Sequence, residues 1–199
     1  MQIHYFGLSS FKIITKEATI ITDPFDKKSG LTPPRGNADI LILSDKNDPM
    51  YTAISGISGE PFLINDPGEY DTKGVTVTGL PVKQDNGFVT VFLIESEDIK
   101  ILNLAHIKDF SLKEDELEAL GQIDILIIPV GGGEVMDAST ASKIVNDIEP
   151  KIVIPSQYQK LDSFVKEMGG KSEELDKLIL KKKDLAEEGI KLVALTPLR

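Results

Sequence analysis

Gln122-Ile123-Asp124-Ile125-Leu126-Ile127-Ile128-Pro129-Val130-Gly131-Gly132 is the stretch on which the fold turns. From Ile125 the apolar residues follow one another without alternation, between Asp124 on one side and Pro129 and the glycines on the other. A strand with one face in water alternates polar and apolar side chains, so an unbroken run predicts a strand covered on both faces. Asp39 to Leu43 and Lys151 to Ile154 read the same way. Three such strands call for central positions in sheets whose outer faces are themselves covered.

Working outward, a second kind of strand shows β-branched residues at period two. Val75 to Thr78 and Phe88 to Ile94 are the clearest cases, and they predict half-buried antiparallel strands. Helices fall mainly in the second half. Ser111-Leu112-Lys113-Glu114 has the capping-box form, leads into Leu117 and Leu120, and stops at Gly121. Asp137, an N-cap residue type, precedes Ala141, Ile144, Val145 and Ile148 on one face before Pro150. Leu161, Phe164, Val165 and Met168 form a third helical face ending at Gly169-Gly170. Residues 181 to 191 are charged, predicting a mobile surface segment before a closing strand at Leu192 to Leu195. The chain thus divides into a strand-rich half, about residues 1–96, and a helix-and-strand half, about 97–199. No linker separates them, so we expect one domain, 1–199, with a shared core.

Composition narrows the function classes. The 199 residues are 41% hydrophobic and 27% charged, which fits a globular chain and excludes a fibrous or unfolded one. A formal charge of -10 disfavours binding to phosphate backbones, and Lys181 to Lys183 reads as a solvated charged face. With no cysteine there is no disulfide framework, thiolate metal site or cysteine nucleophile. No apolar run is long enough for a membrane span and the first residues lack a leader pattern, so a soluble cytoplasmic protein is expected.

Several stretches, in order, resemble the metallo-β-lactamase superfamily, specifically its small predicted Zn-dependent hydrolases. Tyr5 to Phe11 is similar to the family's opening strand and turn, Thr22-Asp23-Pro24-Phe25 to its Asp-Pro turn, and Ala38 to Ser44 to the strand that delivers the metal-binding loop. Asp66-Pro67-Gly68-Glu69-Tyr70 looks like the Pro-Gly-Glu-Tyr stretch of the same subgroup, while Gln122 to Gly132 and Pro150 to Pro155 resemble its two buried strands. The resemblance implies an α/β fold: a four-layer αβ/βα sandwich of two mixed sheets with outer helices. It also implies metal-assisted hydrolysis, in which His and Asp hold divalent ions that lower the pKa of bound water.

The implied ligands are the informative part. Where the family writes His-x-His-x-Asp-His, this chain has Asp45-Lys46-Asn47-Asp48-Pro49-Met50. The next family histidine falls on Gln84 or its neighbours, the bridging aspartate on His106, the last histidine on Gln157, and the opening histidine on Leu8. Pro49 and Leu8 cannot ligate, Met50 is too soft for Zn, Mn or Mg, and Asn47, Gln84 and Gln157 offer only neutral carbonyl oxygens. Asp45, Asn47, Gln84, His106 and Gln157 are therefore candidate cleft positions, with Asp45 and His106 the weak metal candidates, helped by Asp48 or Asp85. The leading expectation is a catalytically degenerate member with no metal, its cleft serving a small-molecule or protein partner in binding or scaffolding. The alternative is a hydrolase of a phosphoester or lactone with one rearranged Zn or Mn site. Self-association stays open, and nucleic acid and membranes are not expected partners.

Other chemistry has weaker signals. Gly131-Gly132-Gly133, between a buried strand and a helix, could cradle a phosphate or simply be a flexible loop. Ser9, Ser10, Ser44 and Ser156 are nucleophiles only beside a base, which leaves Ser44 or Ser156 with His106 and Asp45. His4, on the first strand, reads as an exposed or hydrogen-bonded strand residue. Asp23 either orients a ligating group or caps its turn, and Glu69 reads as a structural carboxylate.

Overall fold

The computed structural model describes residues 1–85, 87–111, 119–185 and 189–198. Its strands in chain order are β1 (Gln2–Gly7), β2 (Ser10–Ile14), β3 (Thr19–Thr22), β4 (Gly36–Asn37), β5 (Ile40–Ile42), β6 (Ile57–Ser58), β7 (Phe62–Ile64) and β8 (Gly68–Thr72). They continue with β9 (Val75–Gln84), β10 (Gly87–Ser96), β11 (Ile99–Asn103), β12 (Ile125–Pro129), β13 (Ile152–Ser156), β14 (Glu173–Leu175), β15 (Leu178–Ile179) and β16 (Lys191–Leu195). Ala138–Ile148 and Asp162–Glu167 are α-helices.

Two mixed sheets dominate. One runs β15-β1-β2-β3-β5-β7, the other β14-β16-β13-β12-β11-β10-β9-β8, and β4 pairs with β6 separately. The deciding stretch shows why an unbroken apolar run makes a strand here. Ile125 and Ile127 point into the core between the sheets with Ile3, Phe11, Ile13, Ile20, Ile40 and Ile42. Leu126 and Ile128 point outward to a second core with Ala141, Val145 and Phe164 of the two helices. In β5, Ile40 and Ile42 face the central core while Leu41 joins Phe6, Ile21 and Phe25 in a third cluster. Each strand alternates between two apolar environments, so its sequence shows no alternation.

The sandwich of mixed sheets is as expected. Its helical cover lies on the eight-stranded sheet, while the third cluster, on the six-stranded sheet, also takes in Leu8 and Ile57 from loop and short-strand positions. Val75 and Val77 face the central core while Thr76 is exposed, so β9 is half-buried as expected. β10 is not: Phe92 and Ile94 face one core and Val91 and Leu93 the other. The helix after Asp137 is capped by that residue, whose carboxylate accepts from Thr140 N at 2.8 Å, and it ends at Glu149 in the left-handed region, one residue before Pro150. The helix expected from Ser111 lies mostly outside the described residues. Lys182 departs from the solvated-face reading, since its ammonium reaches both oxygens of buried Asp124 at 2.8 Å. Among the described residues no helix is long and apolar enough to cross a membrane.

Candidate functional site

Parallel pairing brings the carboxyl ends of β3, β5, β11, β12 and β13 to one end of the sandwich. That is where open α/β sheets gather their binding loops. Asp23 and Ser44 follow β3 and β5, His106 follows β11, and Gln157 follows β13. Among the described residues nine non-glycine residues have positive φ, and of these Leu8, Asp23, Ala105 and Gln157 belong to these loops or to the turn beside them. Such conformations cost about 1–3 kcal/mol each and persist only where the surroundings enforce them.

Asp23 is fully buried. Its Oδ1 accepts from Ser44 N at 2.7 Å, and both of its oxygens lie 2.8 Å from Ser44 Oγ. Burial pushes this carboxyl above its ordinary range, against the opposing pull of His106 and the Ser44 donors. Ser44 Oγ lies 3.3 Å from His106 Nδ1. The His106 ring stacks on Tyr51 with centroids 4.1 Å apart, and Gln157 Nε2 donates to the Tyr51 hydroxyl at 2.9 Å. Burial raises Tyr51 to about 12, so its phenol stays protonated at neutral pH. Asp23, Ser44, His106, Tyr51 and Gln157 thus form one connected chain.

That chain borders a cavity of about 300 Å³ whose lining includes Asp45, Asp48, Tyr51, Gln84, Asp85 and His106. A groove of about 900 Å³ over Leu80, Val82 and Phe110 is larger but holds none of the candidate residues. The structure therefore brings Asp45, Gln84 and His106 to one cavity and ties Gln157 to it through Tyr51. Asn47 is exposed and does not line it. Sequence reasoning missed Tyr51, whose only sequence signal was an aromatic residue directly after the Asp45–Met50 loop.

The donor chemistry decides whether the family's ions fit. Asp45 Oδ1 accepts from Asn47 N at 2.8 Å, closing its own loop. Gln84 Oε1 accepts from Lys108 N at 2.8 Å and Asp109 N at 3.3 Å, while its Nε2 donates to Asp109 O at 2.9 Å, so this amide pins the loop after His106. The Gln157 amide is engaged with Tyr51, and Nδ1 of His106 faces Ser44. Among the described residues no three His, Cys, Asp or Glu side chains are placed to hold an ion. The donors do not fit the dinuclear site that the resemblance implies.

Other expectations are corrected. Ser44 meets His106, but its acid is Asp23 rather than Asp45. Ser156 has no hydrogen-bond partner among the described residues, and it is fully buried. Ser9 is equally buried; it lies close enough to Asp23 to favour the charged carboxylate without reaching hydrogen-bond geometry. Ser10 Oγ donates to Thr22 O at 2.7 Å. The triple glycine does not open a phosphate cradle, because Gly132 N is spent on Met136 O at 3.0 Å and the helix N-terminus already carries the Asp137 carboxylate. A Cβ on Gly131 would lie 1.9 Å from Gln157 O, so this glycine is needed for loop contact. His4 is paired across from Lys12 on β1 and does not line the cavity.

Two mixed sheets packed face to face, with a cavity at the ends of their parallel strands, define a metallo-β-lactamase fold. The chain belongs to the beta-lactamase superfamily domain family, whose profile matches residues 2–157. It is 26% identical over 194 residues to a UPF0173 metal-dependent hydrolase of Alkaliphilus metalliredigens, covering 79% of this chain and 85% of that one. A relative of the same description from Thermococcus onnurineus is 23% identical over 216 residues, covering 87% and 94%. Among solved structures, a metallo-beta-lactamase superfamily protein of Thermotoga maritima, proposed to be a Zn-dependent hydrolase, superposes with TM-score 0.82 at 27% identity over 98% and 99% of the two chains. Igni18, a metallo hydrolase of Ignicoccus hospitalis, shares the fold at TM-score 0.67 and 14% identity over 98% of this chain and 95% of its own. These relatives are described as metal-dependent, a description that does not support the expected metal-free cavity.

Proposed function

We propose that this member of the family binds a small molecule in the cavity beside His106 without a resident metal ion. One observation carries the reading: His106, which the resemblance puts at the family's bridging-aspartate position, is turned to Ser44 and stacked on a tyrosine that Gln157 holds. Candidate side chains are spent on Ser44, Tyr51 or nearby backbone instead of converging on an ion. The left-handed backbone kept at Leu8, Asp23, Ala105 and Gln157 supports continued use of the site, since strain of this kind gathers at functional loops. A small-molecule rather than nucleic-acid partner accords with the charge of -10, and a cytoplasmic location is part of the same proposal.

The test is elemental analysis of untagged protein purified without chelator, then thermal shift with Zn, Mn and Mg after stripping. The expected result is no stoichiometric metal and no concentration-dependent rise in Tm. A second reading is favoured by the relatives' names: a metal-dependent hydrolase with one ion at Asp45 and His106. It takes over if a stoichiometric ion is found whose stabilisation disappears in Asp45→Ala or His106→Ala.

A further inference from the structure

Ser44 ties the tautomer of His106 to the charge of Asp23. Its Oγ lies 2.8 Å from each oxygen of Asp23. With Asp23 ionised, the form that the Ser44 N–H and O–H donors favour against burial, the carboxylate only accepts, so the serine proton is directed to it. The serine oxygen then has only lone pairs to offer the ring nitrogen 3.3 Å away, and this charge state makes Nδ1 the N–H. Nε2 keeps the lone pair. Among the described residues Nε2 has no hydrogen-bond partner, and His106 borders the cavity. Tyr51 stacked on the ring, itself held by Gln157, fixes the plane in which that lone pair points.

We propose that His106 is a metal-independent general base whose Nε2 takes a proton from a water attacking the carbonyl carbon of a small uncharged or cationic ester, lactones included. The proposal rests on the metal-free reading above and adds a reaction to it. As the water oxygen bonds to the acyl carbon, its proton moves to Nε2. The bond from that carbon to the alkoxy oxygen then breaks, and Nε2–H returns the proton to the departing oxygen. Ester and water become acid and alcohol, and His106 is regenerated. Ser44 and Asp23 are positioning residues, holding the tautomer and the ring without touching substrate.

The cavity wall selects the substrate class. Asp45, Asp48, Asp85, Asp109 and Glu134 line it against Lys108, so a phosphoester would meet like charge from five carboxylates. Val89, Val135 and the Tyr51 ring supply an apolar side for an acyl or alkyl group.

The chain holds only two histidines, so long-range proton–nitrogen NMR of EDTA-treated protein reads the tautomer directly, His106→Gln assigning the signal. We expect Nδ1–H with a bare Nε2, and loss of that preference in Ser44→Ala with His4 unmoved. With 4-nitrophenyl acetate and acetylthiocholine as probes, we expect turnover that survives EDTA, falls about 100-fold in His106→Gln and falls less in Ser44→Ala. No turnover of 4-nitrophenyl phosphate is expected. An Nε2–H tautomer, no ester turnover, or an unchanged rate in His106→Gln overturns the proposal and leaves the metal-free reading standing. Ester turnover that EDTA abolishes and Zn restores overturns both.

Discussion

Two carboxylates are buried at opposite ends of the sandwich and are treated differently. Asp124, at the amino end of β12, accepts from Lys100 N at 2.9 Å and holds the Lys182 ammonium on both oxygens at 2.8 Å. Asp23, at the carboxyl end of β3, is equally hidden but meets a serine, with an imidazole behind it, in place of a cation. At the first end the charge is matched and the contact knits the closing segment to the core. At the second it rests on the backbone N–H and hydroxyl of one serine, an arrangement that adds little to stability but orients a titratable ring.

The contrast can be broken by mutation. The largest effect should come from Lys182→Met, which leaves the Asp124 carboxylate buried with only backbone donors. We expect a loss of about 2 kcal/mol by urea unfolding, and an unchanged midpoint would show that this pair is not structural. A third carboxylate, the exposed helix cap Asp137, sets an intermediate scale: Asp137→Ala should cost about 1 kcal/mol. Its hydrogen bond from Thr140 N lowers its pKa, so its contribution is present above the unfolded value and fades as pH falls through the folded one. Asp23 should show the opposite slope. Burial raises its carboxyl, so its contribution is complete below the unfolded value and is lost as pH rises through the folded one. The stability of wild type minus that of Asp23→Asn should therefore decline with rising pH, the smallest of the three effects. A difference that grows with pH would mean that His106 and the Ser44 donors outweigh burial at Asp23.

Much of the fold was legible because buried strands leave an unmistakable record. Ile125 to Ile128 has no polar interruption because each side chain enters one core or another. β10 was read as half-buried because Thr90 interrupts its run, yet Thr90 is itself buried. The positions of Asp45, Gln84, His106 and Gln157 came from the resemblance, whereas their partners did not. Nothing local to Gln84 says that its amide will pin residues 108 and 109, and nothing near Ser44 says that a histidine 62 residues away lies against it. Such contacts are set by the packing of two sheets, and no periodicity along the chain encodes them.

The left-handed residues beside the cavity have an evolutionary consequence. Histidine or aspartate ligands can be exchanged one codon at a time, but a loop that holds Leu8 or Gln157 at positive φ depends on many neighbours at once. Here that costly framework surrounds side chains that bond to one another and to nearby backbone. The chain thus invites transplanted ligands: Asp45→His, Asn47→His, His106→Asp and Gln157→His would place donors at the positions that the resemblance implies.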